Sequence, residues 1–297
     1  MSILSINGLS KRYGNVRALN DLNLEVKPSQ IFGILGPNGS GKTTTLAIIL
    51  GVIKQDAGNF TWFNQLPNEL TNNSIGALLE TPNFYPYLTL YQNLNVVSTI
   101  KRIEKNVEIE IERVLRIVNL WERKNSIFST LSLGMKQRMS IASLLLGDPQ
   151  ILILDEPANG LDPQGIAEIR EIIKTEAAKG KTILLASHIL DEVEKVCTHV
   201  AILKSGNLIA CSTVNDIVNQ GDTLFVECDQ NQNLYDLLIR SGMTKTIEFE
   251  HKKLILKLHH QYKAKDVNEF AFKNNIILSQ LETHKKTLES QFLEMMK

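Results

Sequence analysis

The segment Gly36-Pro37-Asn38-Gly39-Ser40-Gly41-Lys42-Thr43 sets three glycines beside a lysine and two hydroxyls, a combination suited to holding phosphate. Glycines let consecutive backbone N–H groups curl around phosphate oxygens, and a helix beginning at the end of such a loop adds its positive terminus. Lys42 has the reach to neutralise terminal phosphates, and the Thr43 hydroxyl is placed to ligate a divalent ion. Ser40 and Thr44 supply further donors to phosphate oxygens. An ordinary glycine turn is the plain alternative. The apolar run Ile31 to Leu35 before the loop and the helical run Thr44 to Leu50 after it favour the phosphate reading.

A second group of residues has matching chemistry. The apolar run Ile151 to Leu154 ends abruptly in Asp155-Glu156-Pro157, and such strand ends meet ligands at the carboxyl edge of a parallel sheet. Asp155 suits a magnesium ion, held through water, while Glu156 is placed to accept a proton from, or to orient, a water attacking a γ-phosphate. His188 follows the apolar run Thr182 to Ala186 and Ser187, which brings it to the same edge within reach of that phosphate. A lone histidine there is commonly only a cap or a polar group at the rim, so its role depends on the other two motifs.

These residues need a scaffold, and the sequence provides one. The short, continuously apolar segments Ile31 to Leu35, Ile151 to Leu154, Ile183 to Ala186 and Val200 to Leu203 read as buried parallel strands. Ser2 to Asn7 and Leu22 to Val26 alternate with period two, as half-buried antiparallel strands do. Between about 84 and 146 apolar residues recur at helical spacing, as at Ile109, Val114, Leu115, Ile117 and Val118, which predicts a helical insertion. After Thr213 the composition turns more polar, with strands expected at Leu224 to Cys228, Thr246 to Glu250 and Leu254 to Leu258. The expected organisation is an α/β unit over 1–220 and a small α+β domain over 221–297, joined near Asn219 to Asp222.

Bulk properties narrow the setting. With 297 residues and 43% hydrophobic composition, the chain has material for one substantial core and a small second one. Lys and Arg total 32 against 32 for Asp and Glu, a balance that argues against nucleic acid as the main partner. No apolar run approaches the roughly 20 residues of a membrane-spanning helix, and Met1 to Lys11 has no secretion-signal pattern, so a cytoplasmic chain is expected. Cys197, Cys211 and Cys228 are widely spaced and odd in number, as expected of reduced thiols.

Leu131-Ser132-Leu133-Gly134-Met135-Lys136-Gln137-Arg138, shortly before the acidic strand, resembles the signature segment of ABC ATPases. The resemblance runs from about Ile3 to Ser212 and takes in Tyr13, the turn Asn159-Gly160-Leu161-Asp162 and His188 in the family's order. It implies a P-loop ABC cassette with a mostly parallel core sheet, an N-terminal antiparallel β part and a helical insertion. It also implies ATP and Mg2+ as ligands, with Tyr13 stacked on adenine and Ser132 and Gly134 facing the γ-phosphate held by a second copy in a head-to-tail dimer. Asp162 would cap a helix and cross that dimer interface. The partners implied are integral membrane permease subunits, which would hold the chain at the inner face of the cell membrane.

Three positions depart from the family's usual pattern. Leu133 and Met135 replace a glycine and a glutamine of the signature, removing backbone freedom and one polar contact. Glu80 stands where a magnesium-touching glutamine is usual; a carboxylate is a competent ligand, and a solvated acid before Thr81-Pro82 is the alternative. Glu80, the following Thr81-Pro82-Asn83-Phe84-Tyr85 and the relaxed signature resemble the bacitracin-resistance and lantibiotic self-protection branch, which implies export of a peptide antibiotic or similar amphiphile. Phe84-Tyr85-Pro86-Tyr87-Leu88 has the aromatic content of a docking surface for a membrane subunit, or of packing onto the insertion. A soluble ABC ATPase acting in macromolecular or cofactor assembly is the competing function, and a nucleotide-dependent scaffold that hardly hydrolyses is a third.

Overall fold

Strands that are apolar on both faces are stable only when both faces are covered, and three of them form the centre of this molecule. β3 (Ile31–Leu35), β6 (Ile151–Asp155) and β7 (Thr182–Ser187) are buried at every residue. Each fully buried Leu or Ile side chain contributes roughly 1.5–3 kcal/mol relative to exposure. The structure is a computed structural model that describes residues 2–68, 71, 73–79, 84–218, 223–250, 253–259, 261–284 and 287–296. The chain forms two compact units, Met1–Thr213 and Val214–Lys297. The expected junction at Asn219 to Asp222 lies outside the described residues.

In the first unit β1 (Leu4–Tyr13), β2 (Val16–Val26) and β4 (Ala57–Trp62) form an antiparallel sheet in the order β2-β1-β4. A six-stranded sheet runs β5-β6-β7-β3-β8-β9, with β5 (Ile75–Leu78), β8 (His199–Lys204) and β9 (Asn207–Thr213) at its two sides. All its pairings are parallel except β8 with β9. Helix α1 (Lys42–Ile49) follows β3, and its Leu46, Ile48 and Ile49 join Phe32, Ile34, Ile153 and Leu184 in the main core. Trp62, fully buried, donates its indole N–H to the Ile49 carbonyl (3.0 Å) and so fastens the antiparallel sheet to α1.

The insertion is helical for local reasons as well. Thr89 and Gln92 form a reciprocal capping box at the start of α2 (Leu90–Ile100). In α3 (Val107–Ile117) the buried residues are Ile111, Val114 and Leu115, whereas Ile109 is exposed. α4 (Leu133–Leu145), α5 (Pro163–Ala178) and α6 (Leu190–Val196) complete the unit, each followed by a strand of the six-stranded sheet.

The second unit contains α7 (Val214–Val218), then β10 (Thr223–Cys228), α8 (Asn231–Ser241), β11 (Thr244–Glu250), β12 (Lys253–Leu258), α9 (Ala264–Lys273), β13 (Leu278–His284) and α10 (Leu288–Met296). From β10 to β13 the order is β-α-β-β-α-β, and the antiparallel sheet order is β11-β12-β10-β13, the split arrangement of ferredoxin-like units. Leu224, Val226 and Cys228 on β10 and Leu254 and Leu256 on β12 pack beneath Leu234 and Leu238 of α8 and Val267 of α9. Cys197, Cys211 and Cys228 are free thiols, and burial raises the Cys197 thiol far above its usual range.

Candidate functional site

The glycine-rich loop leaves β3 and enters α1 through Gly41, whose φ of 108° suits glycine. A Cβ there would lie 2.6 Å from the Ala18 carbonyl oxygen, so the loop is pressed against β2 and no side chain fits. From its other side, the Ser40 carbonyl accepts the Gly206 N–H (3.0 Å) from the β8–β9 turn. Lys42 is buried at the mouth of the loop and donates to the carbonyls of Gly36 (2.8 Å) and Pro37 (3.3 Å).

Glu156 closes the other side. Its carboxylate lies 4.0 Å from the Lys42 ammonium through Oε1, while Oε2 accepts from the His188 ring Nδ1 (2.8 Å) and the His188 backbone N–H (3.3 Å). Since an ionised carboxylate only accepts, Nδ1 carries the imidazole proton. Glu156 sits in left-handed backbone space (φ 49°), uncommon for a residue with a side chain, and its N–H is held by the Ala186 carbonyl (2.9 Å). Lys42, Thr43, Thr44, Asn38, Gly39 and Glu156 line one cavity of about 330 Å³. The three expected motifs, loop, acid and histidine, are therefore brought together.

The site's polar groups suit a phosphate chain. The Ser40 hydroxyl is buried with no hydrogen-bond partner among the described residues, the condition of a donor that a phosphate oxygen would satisfy. Asp155, buried at the end of β6, and the exposed hydroxyl-bearing Thr43 are hard oxygen donors of the kind magnesium takes. Glu80, the third expected magnesium ligand, lies outside the described residues with 81–83.

Other expected site residues stand apart. Ser132 is the N-cap of α4 and accepts the Met135 N–H (3.3 Å), and Asp162 is the N-cap of α5, accepting the Gly165 N–H (2.9 Å) ahead of Pro163 at the first turn. With Gly134 and Gly160 they line a separate cavity of about 390 Å³ that shares no lining residue with the loop cavity. Tyr13 is exposed at the end of β1, with the Lys11 ammonium 5.6 Å from its ring centre, and does not line the loop cavity.

Two contacts went unread in the sequence. Leu133 is half exposed and lies over Gly160, 3.4 Å from where a Cβ would project, so the apolar replacement in the signature rests on the acidic turn. Arg138 joins the Val118 carbonyl (2.9 Å) and Glu168 of α5 (3.2 Å), tying α4 to the helix after that turn.

Asp162→Ala is expected to cost about 1 kcal/mol through the lost cap, lowering the melting temperature by about 2–4 °C. Thermal unfolding without nucleotide checks this. Asp162→Asn, an equally good cap, should keep the melting temperature; lowered turnover in that variant would show that the charge has work beyond capping.

Comparison with known proteins bears on this arrangement. Residues 19–159 match the family described as ABC transporter. The uncharacterised ABC transporter ATP-binding protein YhcH of Bacillus subtilis is 35% identical, over 99% of this chain and 96% of its own. The bacitracin transport ATP-binding protein BcrA of Enterococcus faecalis is 29% identical, over 98% and 95%. The crystal structure of the ADP conformation of MJ1267, an ATP-binding cassette of an ABC transporter, superposes with a TM-score of 0.65 at 26% identity, covering 73% of this chain and 92% of that one.

Proposed function

We infer the working cycle from one premise: the chain belongs to the ABC transporter family and is its ATP-binding, ATP-hydrolysing subunit. Two copies bind two ATP molecules at a shared head-to-tail interface, close, and reopen after hydrolysis. The separation of the loop cavity from the signature cavity within one chain supports this, because Ser132 and Gly134 then find a nucleotide only on another copy.

The observation that carries the mechanism is Glu156 held between Lys42 and His188 at the mouth of the loop. With ATP in the loop, backbone N–H groups, Ser40, Lys42 and Thr44 bind phosphate oxygens, and Tyr13 stacks on adenine. Thr43 and Asp155, with Glu80 as a further ligand, would hold Mg2+, which would supply positive charge to offset that of the phosphates. Glu156 takes a proton from the attacking water as its oxygen adds to the γ-phosphorus and the bond to the β–γ bridging oxygen breaks. His188 orients that carboxylate and contacts the γ-phosphate.

Among the described residues no helix is long and apolar enough to cross a membrane, and we assign the transport path to separate membrane subunits, with this chain peripheral at the inner face. Their docking site is the segment around Tyr85 and Tyr87, both well exposed, while Phe84 packs on Phe128 (4.9 Å between ring centres) and the buried Asn93 amide holds the Tyr85 backbone. The likeness to the bacitracin transport protein supports a peptide antibiotic or similar amphiphile as cargo. Tagging the chain and purifying it in mild detergent from its native cells tests this. A polytopic membrane protein is expected with it; repeated recovery of soluble partners alone would overturn the transport reading.

A further inference from the structure

Helix α4 carries the signature at its N-terminus, and its C-terminus is held in an unusual way. The last carbonyls of a helix have no partner inside it and take water, a tightened turn or a cap. Here the carbonyls of Ser143, Leu144, Leu145 and Leu146 are met by two cations from two other helices. Lys101, which closes α2, donates from Nζ to Ser143 (2.9 Å), Leu144 (3.1 Å) and Leu146 (3.1 Å). Arg113, in α3, donates from Nη2 to Leu145 (2.9 Å).

Both the helix dipole and the charge on each donor strengthen these bonds. A cap alone needs less, because Gly147 follows in left-handed conformation (φ 81°) and the Asp148 N–H already bonds back to Leu145 (3.1 Å). The Arg113 fork is fixed in turn by Glu110 through Nε (3.1 Å) and Nη2 (2.8 Å), a pairing that holds the Glu110 carboxyl below its usual range. Arg113 Nη1 also lies 3.8 Å from Asp148, which accepts from Lys181 (2.6 Å), and that bond keeps the Asp148 carboxyl low.

The connections lead to the chemistry. α4 is about 18 Å long, with Ser132 and Gly134 at one end and the two cations at the other. From its C-terminus the chain passes Asp148 into β6, which ends in Asp155 ahead of Glu156; Lys181 opens the way into β7, which ends just before His188. We propose that Lys101 and Arg113 form a two-cation pivot that fixes the far end of the signature helix to the helical insertion, with Arg113 reaching on to Asp148 at the entrance of β6, and so sets where Ser132 and Gly134 stand for the second copy's nucleotide. Both are positioning residues for hydrolysis, and the assignment rests on the ATP-dependent dimer proposed above.

The test compares Lys101→Met, Arg113→Met and Lys101→Arg in the full chain, each with Glu156 intact and with Glu156→Gln. With Glu156 intact, both Met variants should lose about tenfold in kcat with KM for ATP little changed, and Lys101→Arg should restore most of it. In the Glu156→Gln background, the dissociation constant of the ATP-bound dimer should rise by about tenfold in the Met variants, while affinity for a fluorescent ATP analogue at monomer dilution stays level. Wild-type turnover in both Met variants overturns the pivot, and so does a matching fall in nucleotide affinity, which marks general loss of structure. A Glu156→Gln parent that stays monomeric with ATP overturns the dimer instead. In that event the pivot falls with the dimer, whereas a dimeric parent whose dissociation constant is unchanged in the Met variants overturns the pivot alone.

Discussion

Glu156→Gln should leave ATP binding in place, lower turnover by about a thousandfold and accumulate a closed dimer. The substitution keeps size and shape, and the amide oxygen still accepts the two His188 donors that hold the carboxylate now. What disappears is the capacity to take a proton, a contribution typically worth about 10²–10⁴ in rate. A negative charge 4.0 Å from the Lys42 ammonium also goes, which favours binding of a phosphate chain. Phosphate release under saturating ATP, with size-exclusion chromatography in the same buffer, reads both effects. Turnover within about twofold of the unsubstituted protein would remove Glu156 from proton transfer.

The second large effect is expected at Lys42, through binding and not through the chemical step. Lys42→Ala should raise the dissociation constant for ATP by about a hundredfold, the loss of charge-assisted bonds of some 1.5–3 kcal/mol. The ammonium now satisfies the carbonyls of Gly36 and Pro37, and both would keep water as a substitute in the variant. A loop braced by Gly41 against Ala18 and by Ser40 against Gly206 should hold its shape, so thermal stability without nucleotide is expected to change little. Isothermal titration separates the two quantities; ATP affinity equal to that of the unsubstituted chain would contradict the assigned role.

The sequence was most informative where one local cause dominated. β3, β6 and β7 were legible because strands buried on both faces read as unbroken apolar runs. The loop, Asp155, Glu156 and His188 were legible because each follows directly from the end of such a strand. The edge strand β9 was not, since its residues alternate between partial burial and exposure and its antiparallel pairing with β8 is fixed by a tight turn at Ser205 and Gly206. β4, with Gly58 and Asn59, and β13, read Leu-Ser-Gln-Leu-Glu-Thr-His, have weak strand chemistry and take their form from partners. In α3 apolar residues at 109, 111, 114, 115 and 117 allowed more than one helical phase, and packing chose the face with Ile111 while leaving Ile109 in water. The cation contacts at the end of α4 were invisible for a related reason. Lys101 and Arg113 are far from Ser143 in the chain, and long basic side chains have no periodic signature.

The order of strands in the six-stranded sheet has a consequence for how the molecule is made. Among the described residues β3, which feeds the glycine-rich loop, pairs with β7, Ile31 opposite Ile183, and β8, Phe32 opposite His199, and with no strand that immediately follows it. A growing chain therefore leaves both edges of an apolar strand unpaired while the whole helical insertion and the signature are being synthesised. Such long-range pairing is slow, and the exposed strand is prone to aggregate before it is covered. The nucleotide pocket is therefore completed only after β7 and β8 have been synthesised.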